Sequence, residues 1–325
     1  MKLKPLIIGI LALVLAFVLF NKISNKEVQN TELEKIEIGY SALRISLPVF
    51  VAQEKGFFEE AGLDVDLTRF DTAQPLMSAL VAGTVDIAGY TALPITYNAI
   101  LRSNTDLYFL SSILEDQDHR ISYIIVPKDT PSDFTITDLK GKKIGILPTI
   151  AYKAWIAEIL KANNLDPEKD VEIIQIAPAL SPTALASGQI DALFTNDPAA
   201  TTAIQTGIGR VLSDNVEVPQ YLGDPFIFGS FNIEKGYADA NPGILNKLTL
   251  AMNKSIDFVN QNPEEAKLLM IPYIHESQKD FVQFYPNALY QNIGEVTEAE
   301  FQKVADQYLE IGVIKDELSL KNLVK

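Results

Sequence analysis

The stretch LVAGTVDIA at Leu80–Ala88 returns in pattern as LASGQIDAL at Leu185–Leu193. Both read Leu-x-x-Gly-x-(Val/Ile)-Asp and run into small apolar residues. Such a string ends a helix on a glycine that tolerates the left-handed turn and then opens a strand. Working outward, Ile38-Gly39 aligns with Ile144-Gly145 and Asp64-Val65 with Asp170-Val171, both at an offset of 106, while the corners are offset by 105. Chance does not hold register through two intervening helical stretches, so the chain carries two copies of one unit.

Each copy alternates strand and helix patterns. In the first, IEIGYS is a strand. Ser46–Leu63 then predicts one helix from apolar positions 47, 50, 51, 57, 58 and 61, capped by Ser46, with Pro48 in its first turn and Gly62 as its stop. Next come DVDLTRF, a helix from Thr72, VDIAGYT and a helix from Thr91-Ala-Leu-Pro94. In the second copy KKIGIL, a helix capped by Thr149, VEIIQIA, a helix at Ser181-Pro182, DALFTN and a start at Asp197-Pro198 keep that order. The alternation predicts an α/β fold with parallel sheets in two doubly wound lobes. The rest, from FIFGSFNI (Phe226–Ile233), is no third copy and is expected to return to the first lobe. With SYIIVP (Ser122–Pro127) as the outward link, two strands cross as a hinge. The expected division is 35–122 plus 228–325 for the first lobe and 123–227 for the second.

The chain has 325 residues, 47% of them hydrophobic, enough for a large core. Its first 26 residues carry four lysines and no acid around an apolar run, Leu6–Phe20, leaving 23 basic against 42 acidic groups elsewhere. A body with a net charge of −19 repels phosphate backbones, which argues against nucleic acid. Residues 1–26 have the order of an export signal, and either a cleaved signal or a retained anchor over 6–20 fits. Residues 27–34 read as a tether, so the expected location is the periplasm or the outer face of the cytoplasmic membrane. Cysteine is absent and only two histidines occur. That excludes disulfides, thiolate nucleophiles and a lipid-bearing cysteine, and makes a metal cluster improbable. No catalytic residue, metal site or cofactor is assigned.

In an open α/β sheet, ligands sit beyond the carboxyl ends of the strands. Asp86 and Asp191 lie at strand entry and read as turn carboxylates. The residues that the corners aim are Tyr90, Thr91 and Ala92 from one copy and Asn196 and Asp197 from the other. Equivalent positions after other strands are Tyr40, Ser41, Ala42 and Arg44, then Thr72, and then Thr149, Ile150 and Tyr152. Tyr123 sits in the hinge stretch. Hydroxyl caps and bare backbone amides there suit a polar ligand, and the tyrosines offer flat walls, although core packing fits each tyrosine equally well. Asp197 either caps its helix or also meets a ligand amine. Arg44 is a partner for a ligand acid group or a solvated surface residue, and His119, Arg120 and Asp116 read as surface.

GYSALRISLPVFVAQEKGFFEEAGLDV, ALVAGTVDIA, DLKGKKIGI and ALASGQIDALFTNDP together resemble periplasmic solute-binding proteins of ABC importers, of the nitrate/sulfonate/taurine and thiamine-pyrimidine-precursor type. The resemblance implies a type II periplasmic-binding-protein fold, joined by a two-strand hinge, whose lobes close on a small-molecule ligand and deliver it to an ABC permease. It implies a monomer with no enzymatic step. The family's acidic residue before proline falls on Asp197, and its ligand-facing stretches fall on Tyr40–Leu43 and Tyr90–Ala92. Two departures stand out: no lipobox cysteine, and few cations for nitrate or bicarbonate. Two other readings are a membrane-tethered ligand-sensing domain and a pyrimidine-synthase-type enzyme on the same fold. The enzyme would need a Schiff-base lysine, for which Lys153 is the nearest, a cleft histidine and a cysteine-rich iron motif.

Overall fold

A computed structural model describes residues 33–325 of the chain. The leader expected at 1–26 and most of the tether lie outside the described residues; Glu34, the expected end of the tether, already begins the first strand.

Eleven strands form two sheets among the described residues. The first sheet takes β1 (Glu34–Ser41), β2 (Leu63–Phe70), β3 (Ile87–Ala92), β4 (Leu107–Glu115), β10 (Phe226–Glu234) and β11 (Leu289–Gln291), in the order β11-β4-β10-β3-β1-β2. The second takes β5 (Ser122–Pro127), β6 (Lys143–Ile146), β7 (Glu172–Gln175), β8 (Ala192–Asn196) and β9 (Gly209–Val211), in the order β7-β6-β8-β5-β9. The parallel trio β2-β1-β3 recurs as β7-β6-β8. Beside each trio lies an antiparallel strand that has just crossed from the other lobe: β10 against β3, and β5 against β8. The sheets are therefore mixed rather than purely parallel. A strand fed in from a neighbouring lobe need not obey the right-handed crossover rule that makes the trios parallel.

The two corners are alike in detail. Gly83 and Gly188 take φ of 69° and 70°, and their amides close the preceding turns onto Leu80 O and Leu185 O. Asp86 accepts the Glu37 amide at 2.8 Å and Asp191 accepts the Lys143 amide at 2.8 Å. The Asp86 and Asp191 amides donate back to the same two residues' carbonyls. Leu80, Val85, Leu185 and Ile190 are buried beneath them.

One expected element divides. The stretch read as a single helix from Ser46 is a 3-10 turn, Arg44–Ser46, then helices Leu47–Glu54 and Phe57–Glu60, broken at Gly56 with φ 71°. Ser46 makes no side-chain cap. The apolar positions still share a helical face; the glycine lets the second turn tilt so that Phe57 and Phe58 are also buried.

The C-terminal part packs on the first lobe, with Pro242–Gln261 lying against Leu47–Glu54. The last long helix, Glu298–Glu310, meets both lobes: Tyr97 donates to Phe301 O at 2.8 Å, and Trp155 Nε1 donates to Tyr308 OH at 2.9 Å. Trp155 also packs on Phe226 and Phe228 of β10, so one hydrophobic cluster runs through both lobes.

Candidate functional site

Both sheets run out at the line where the lobes meet, and a buried ion pair lies there. Arg44, just after β1, sets Nε 3.3 Å from Asp197 Oδ2, just after β8, with the two side chains 3% and 0% exposed. Burying either charge alone is costly, so each is held by further partners. Arg44 donates from Nη1 to Pro286 O (2.9 Å) and Asn287 O (3.3 Å), and from Nη2 to Arg120 O (2.5 Å). Asp197 Oδ1 accepts the Thr201 amide and hydroxyl at 3.1 and 2.6 Å, and Oδ2 accepts the Tyr123 hydroxyl at 3.2 Å. Asp197 thus ties down the first turn of the helix Ala199–Gln205 and also bridges the lobes. Arg44 is buried, not solvated.

Glu115, the last residue of β4, is fully buried nearby. Its Oε1 accepts Ile121 N, Ser122 N and Ser122 Oγ, while Oε2 has no partner. Burial raises its pKa above the ordinary value, opposed by those hydrogen bonds and by Arg44. The crossings beside it are laced together. Arg120 Nη2 donates to the carbonyls of Ser213, Asp214 and Asn215, and the Gln117 amide pairs with Val216 N and O. Arg120 also lies over the Tyr123 ring and opposes Glu217, whose pKa burial pushes up to about 7. His119 pairs with Asp116 at 2.9 Å.

Around the ion pair, several buried side chains keep a polar atom without a hydrogen-bond partner: Ser41 Oγ, Ser46 Oγ, Glu115 Oε2, Arg120 Nη1, Tyr152 OH, Asn196 Oδ1, both Glu217 carboxylate oxygens and Tyr285 OH, while Arg44 Nε has the ion pair alone. Ser41 and Ser46 share the β1 connection with Arg44, Asn196 precedes Asp197, and Tyr285 precedes the carbonyl that Arg44 holds. Burial, then the Glu115 and Asp197 carboxylates, pushes the Tyr152 phenol well above its usual range. An orphaned buried polar group costs about 1–3 kcal/mol, so a concentration of them marks where an external partner belongs.

The sequence-predicted residues separate into two groups. Arg44, Ser41, Tyr123, Tyr152, Asn196 and Asp197 gather at this cluster. Thr149 accepts the Tyr152 amide at 3.2 Å and so sets the helix that carries Tyr152, with Ile150 half-buried in its first turn. Tyr40 spends its ring on Phe50 and Tyr273, and Tyr90 on Phe231 and Tyr290, with its hydroxyl on Ser111. Thr91 is satisfied by Thr96 and Asn232. Ala92 caps its helix through the backbone, and Ala42 and Thr72 are half-buried. Lys153 is exposed and faces Glu168 at 4.0 Å. The sequence reading missed Glu115 and Tyr285. Glu115 had a signal, as the one charge in the buried run LYFLSSILE; Tyr285 lies outside the repeat and had none. Among the described residues no group of histidines and carboxylates could hold a metal ion, and no helix is long and apolar enough to cross a membrane.

Known proteins share this architecture. The crystal structure of the periplasmic aliphatic sulphonate binding protein SsuA from Escherichia coli superposes with a TM-score of 0.70 at 18% identity, over 90% of this chain and 97% of that one. The fold is therefore that of the periplasmic binding proteins. In sequence, the bicarbonate transport ATP-binding protein CmpC of Synechococcus elongatus is 30% identical over 205 residues, covering 57% of this chain and 30% of that protein. The taurine-binding periplasmic protein of Escherichia coli is 29% identical over 201 residues, 61% of this chain and 58% of that one. The chain thus spans about a third to somewhat over half the length of these two relatives. Residues 29–271 match a single family throughout, a span that holds both corners, Arg44, Glu115, Tyr152 and Asp197; the chain belongs to the NMT1-like family.

Proposed function

We propose that the chain is the extracytoplasmic solute-binding component of an ABC importer, taking a small organic solute between its lobes and presenting the closed form to a membrane permease. The observation that carries this reading is the convergence of unpartnered polar atoms from both lobes on the buried Arg44–Asp197 pair. A solute that satisfies atoms on both sides favours the closed arrangement by its differential affinity for it, which is all that closure requires. The names of relatives point the same way, since two of them are called taurine-binding and sulphonate-binding periplasmic proteins.

On this reading the lobes are 35–122 with 228–325, and 123–227, and the protein works as a monomer outside the cytoplasmic membrane, exported by residues 1–26. Ser41, Tyr152 and Asn196 face the solute, while Tyr90 and Thr91 belong to packing. Thermal unfolding of the full chain tests it against taurine, alkanesulfonates, nitrate, bicarbonate, aromatic carboxylates and thiamine-pyrimidine precursors. A solute at 100 times its Kd adds about 2.7 kcal/mol of stability. Melting that none of these solutes moves would sink solute capture while leaving the fold in place.

A further inference from the structure

The second lobe holds a cavity of about 550 Å³ between the loop that carries Asp133 and Phe134, the end of a helix at Asn163, and the return crossing from Arg210 to Tyr221. That helix, Ile150–Ala162, has Thr149 and Tyr152 at its other end, 13 residues or about 20 Å away. None of the residues read from the sequence as solute-facing lines the cavity.

Glu217 is the feature here that packing does not account for. It lines the cavity, it is 2% exposed, and neither carboxylate oxygen has a hydrogen-bond partner. The buried acids at the lobe junction are provided for: Glu115 accepts three hydrogen bonds, and Asp197 accepts three besides meeting Arg44. Burying a bare carboxylate is costly, so Glu217 lacks a donor. Arg120 opposes it but spends Nη2 on the carbonyls of Ser213, Asp214 and Asn215, and among the described residues no ion pair closes between the two. Arg120 Nη1 also has no partner, and Arg120 does not line the cavity.

The cation in the wall is occupied as well. Arg210 donates from Nε to Thr130 O, from Nη1 to Val211 O and Leu212 O, and from Nη2 to Pro131 O. Asp133 and Asp214, both exposed, bring two more carboxylates to the rim. Glu217, Asp133 and Asp214 thus face Arg210 alone in the wall, and the excess stays negative even with Arg120 counted. Phe134 and Tyr221, both half-buried, supply aromatic sides. The Tyr221 hydroxyl donates to Asn163 Oδ1 at 3.3 Å and keeps its lone pairs for accepting.

We propose that this cavity is a second binding site, for a small organic cation whose charged group carries N–H donors, an amidinium or a primary ammonium on an aromatic body. The N–H donors meet the Glu217 carboxylate in a charge-assisted pair, and the body lies against Phe134 and Tyr221. Glu217 begins the helix Glu217–Leu222 on the return crossing, so the occupant ties the Asp133 loop to that crossing. The site is independent of solute capture between the lobes.

The test is calorimetric titration of the full chain with benzamidine and benzylamine, against benzoate. At least one of the two cations is expected to saturate, and benzoate to give no saturable heat. Glu217→Gln keeps the side chain's shape, removes its charge and should weaken the bound cation by about tenfold or more. Tyr221→Leu removes an aromatic face and a hydroxyl and should weaken it by about threefold or more, which keeps the comparison usable if Glu217→Gln does not fold. Affinity should also fall between about pH 8 and about pH 5.5, because burial holds the Glu217 pKa at about 7 and the protonated acid pairs poorly with a cation. A cation held at Glu115 instead would keep its affinity in both variants, and that outcome overturns the site. Saturation by benzoate, or by neither cation, overturns the ligand class.

Discussion

At Asp86 a carboxylate accepts the Glu37 amide, at Asp191 one accepts the Lys143 amide, and five residues beyond each the two lobes part company. In the first lobe that position is Thr91, whose hydroxyl is taken by Thr96 and by Asn232 of β10. Gly229 allows β10 to come so close that a Cβ there would lie 2.5 Å from Thr91 O. In the second lobe the position is Asn196, opposite Ser122 of β5 in the ladder, and Glu115 occupies the Ser122 hydroxyl instead. The next residue is Ala92 in one copy and Asp197 in the other. The corners repeat because both must stop a helix and start a strand, a local task with a local solution. The strand ends beyond them differ because the neighbouring strand arrives from the opposite lobe, and the two crossings carry different side chains.

The largest expected effect breaks the side of this comparison that has no counterpart. Arg44→Met leaves Asp197 buried and uncompensated and should cost about 3–5 kcal/mol in urea unfolding. Combining Arg44→Met with Asp197→Leu should cost less than the sum of the single changes, since neither charge is then left alone. A single-variant loss below about 1 kcal/mol would place this pair among the weak surface bridges.

The twin corners then offer an internal control. Asp86→Ala and Asp191→Ala each remove one charge-assisted bond to a backbone amide and should each lose about 1–2 kcal/mol. The point is their equality: losses differing by more than about 1 kcal/mol would show that the corners are alike in geometry but not in energy. Gly83→Ala and Gly188→Ala are the finest comparison. Nothing lies within 4 Å of either added Cβ, so the cost is the left-handed backbone alone. It should be about 1 kcal/mol at both sites, read from the same unfolding curves.

Much of the fold was legible because its signals are short-range. Alternation in IEIGYS and KKIGIL, proline and threonine at helix starts and glycine at the corners act within a few residues, and the spacing of about 105 exposes the duplication. The mistaken single helix after Ser46 shows the limit of periodicity. Gly56 preserved the apolar spacing while turning the chain. The ion pair illustrates the other limit. Arg44 and Asp197 could each be named as cleft residues from their place after a strand, yet nothing within either segment says that they meet.

The sequence by itself determined two copies of one α/β unit, an acidic body without cysteine chemistry, and the ends of strands as the place to look. Only the tertiary structure decided which of those ends are consumed in packing and which stay unsatisfied. A side chain's spare hydrogen-bonding capacity depends on every neighbour brought to it. For Tyr152 those neighbours include Glu115 and Arg44, and for Tyr285 they include Asp197 and Arg44, all far away along the chain.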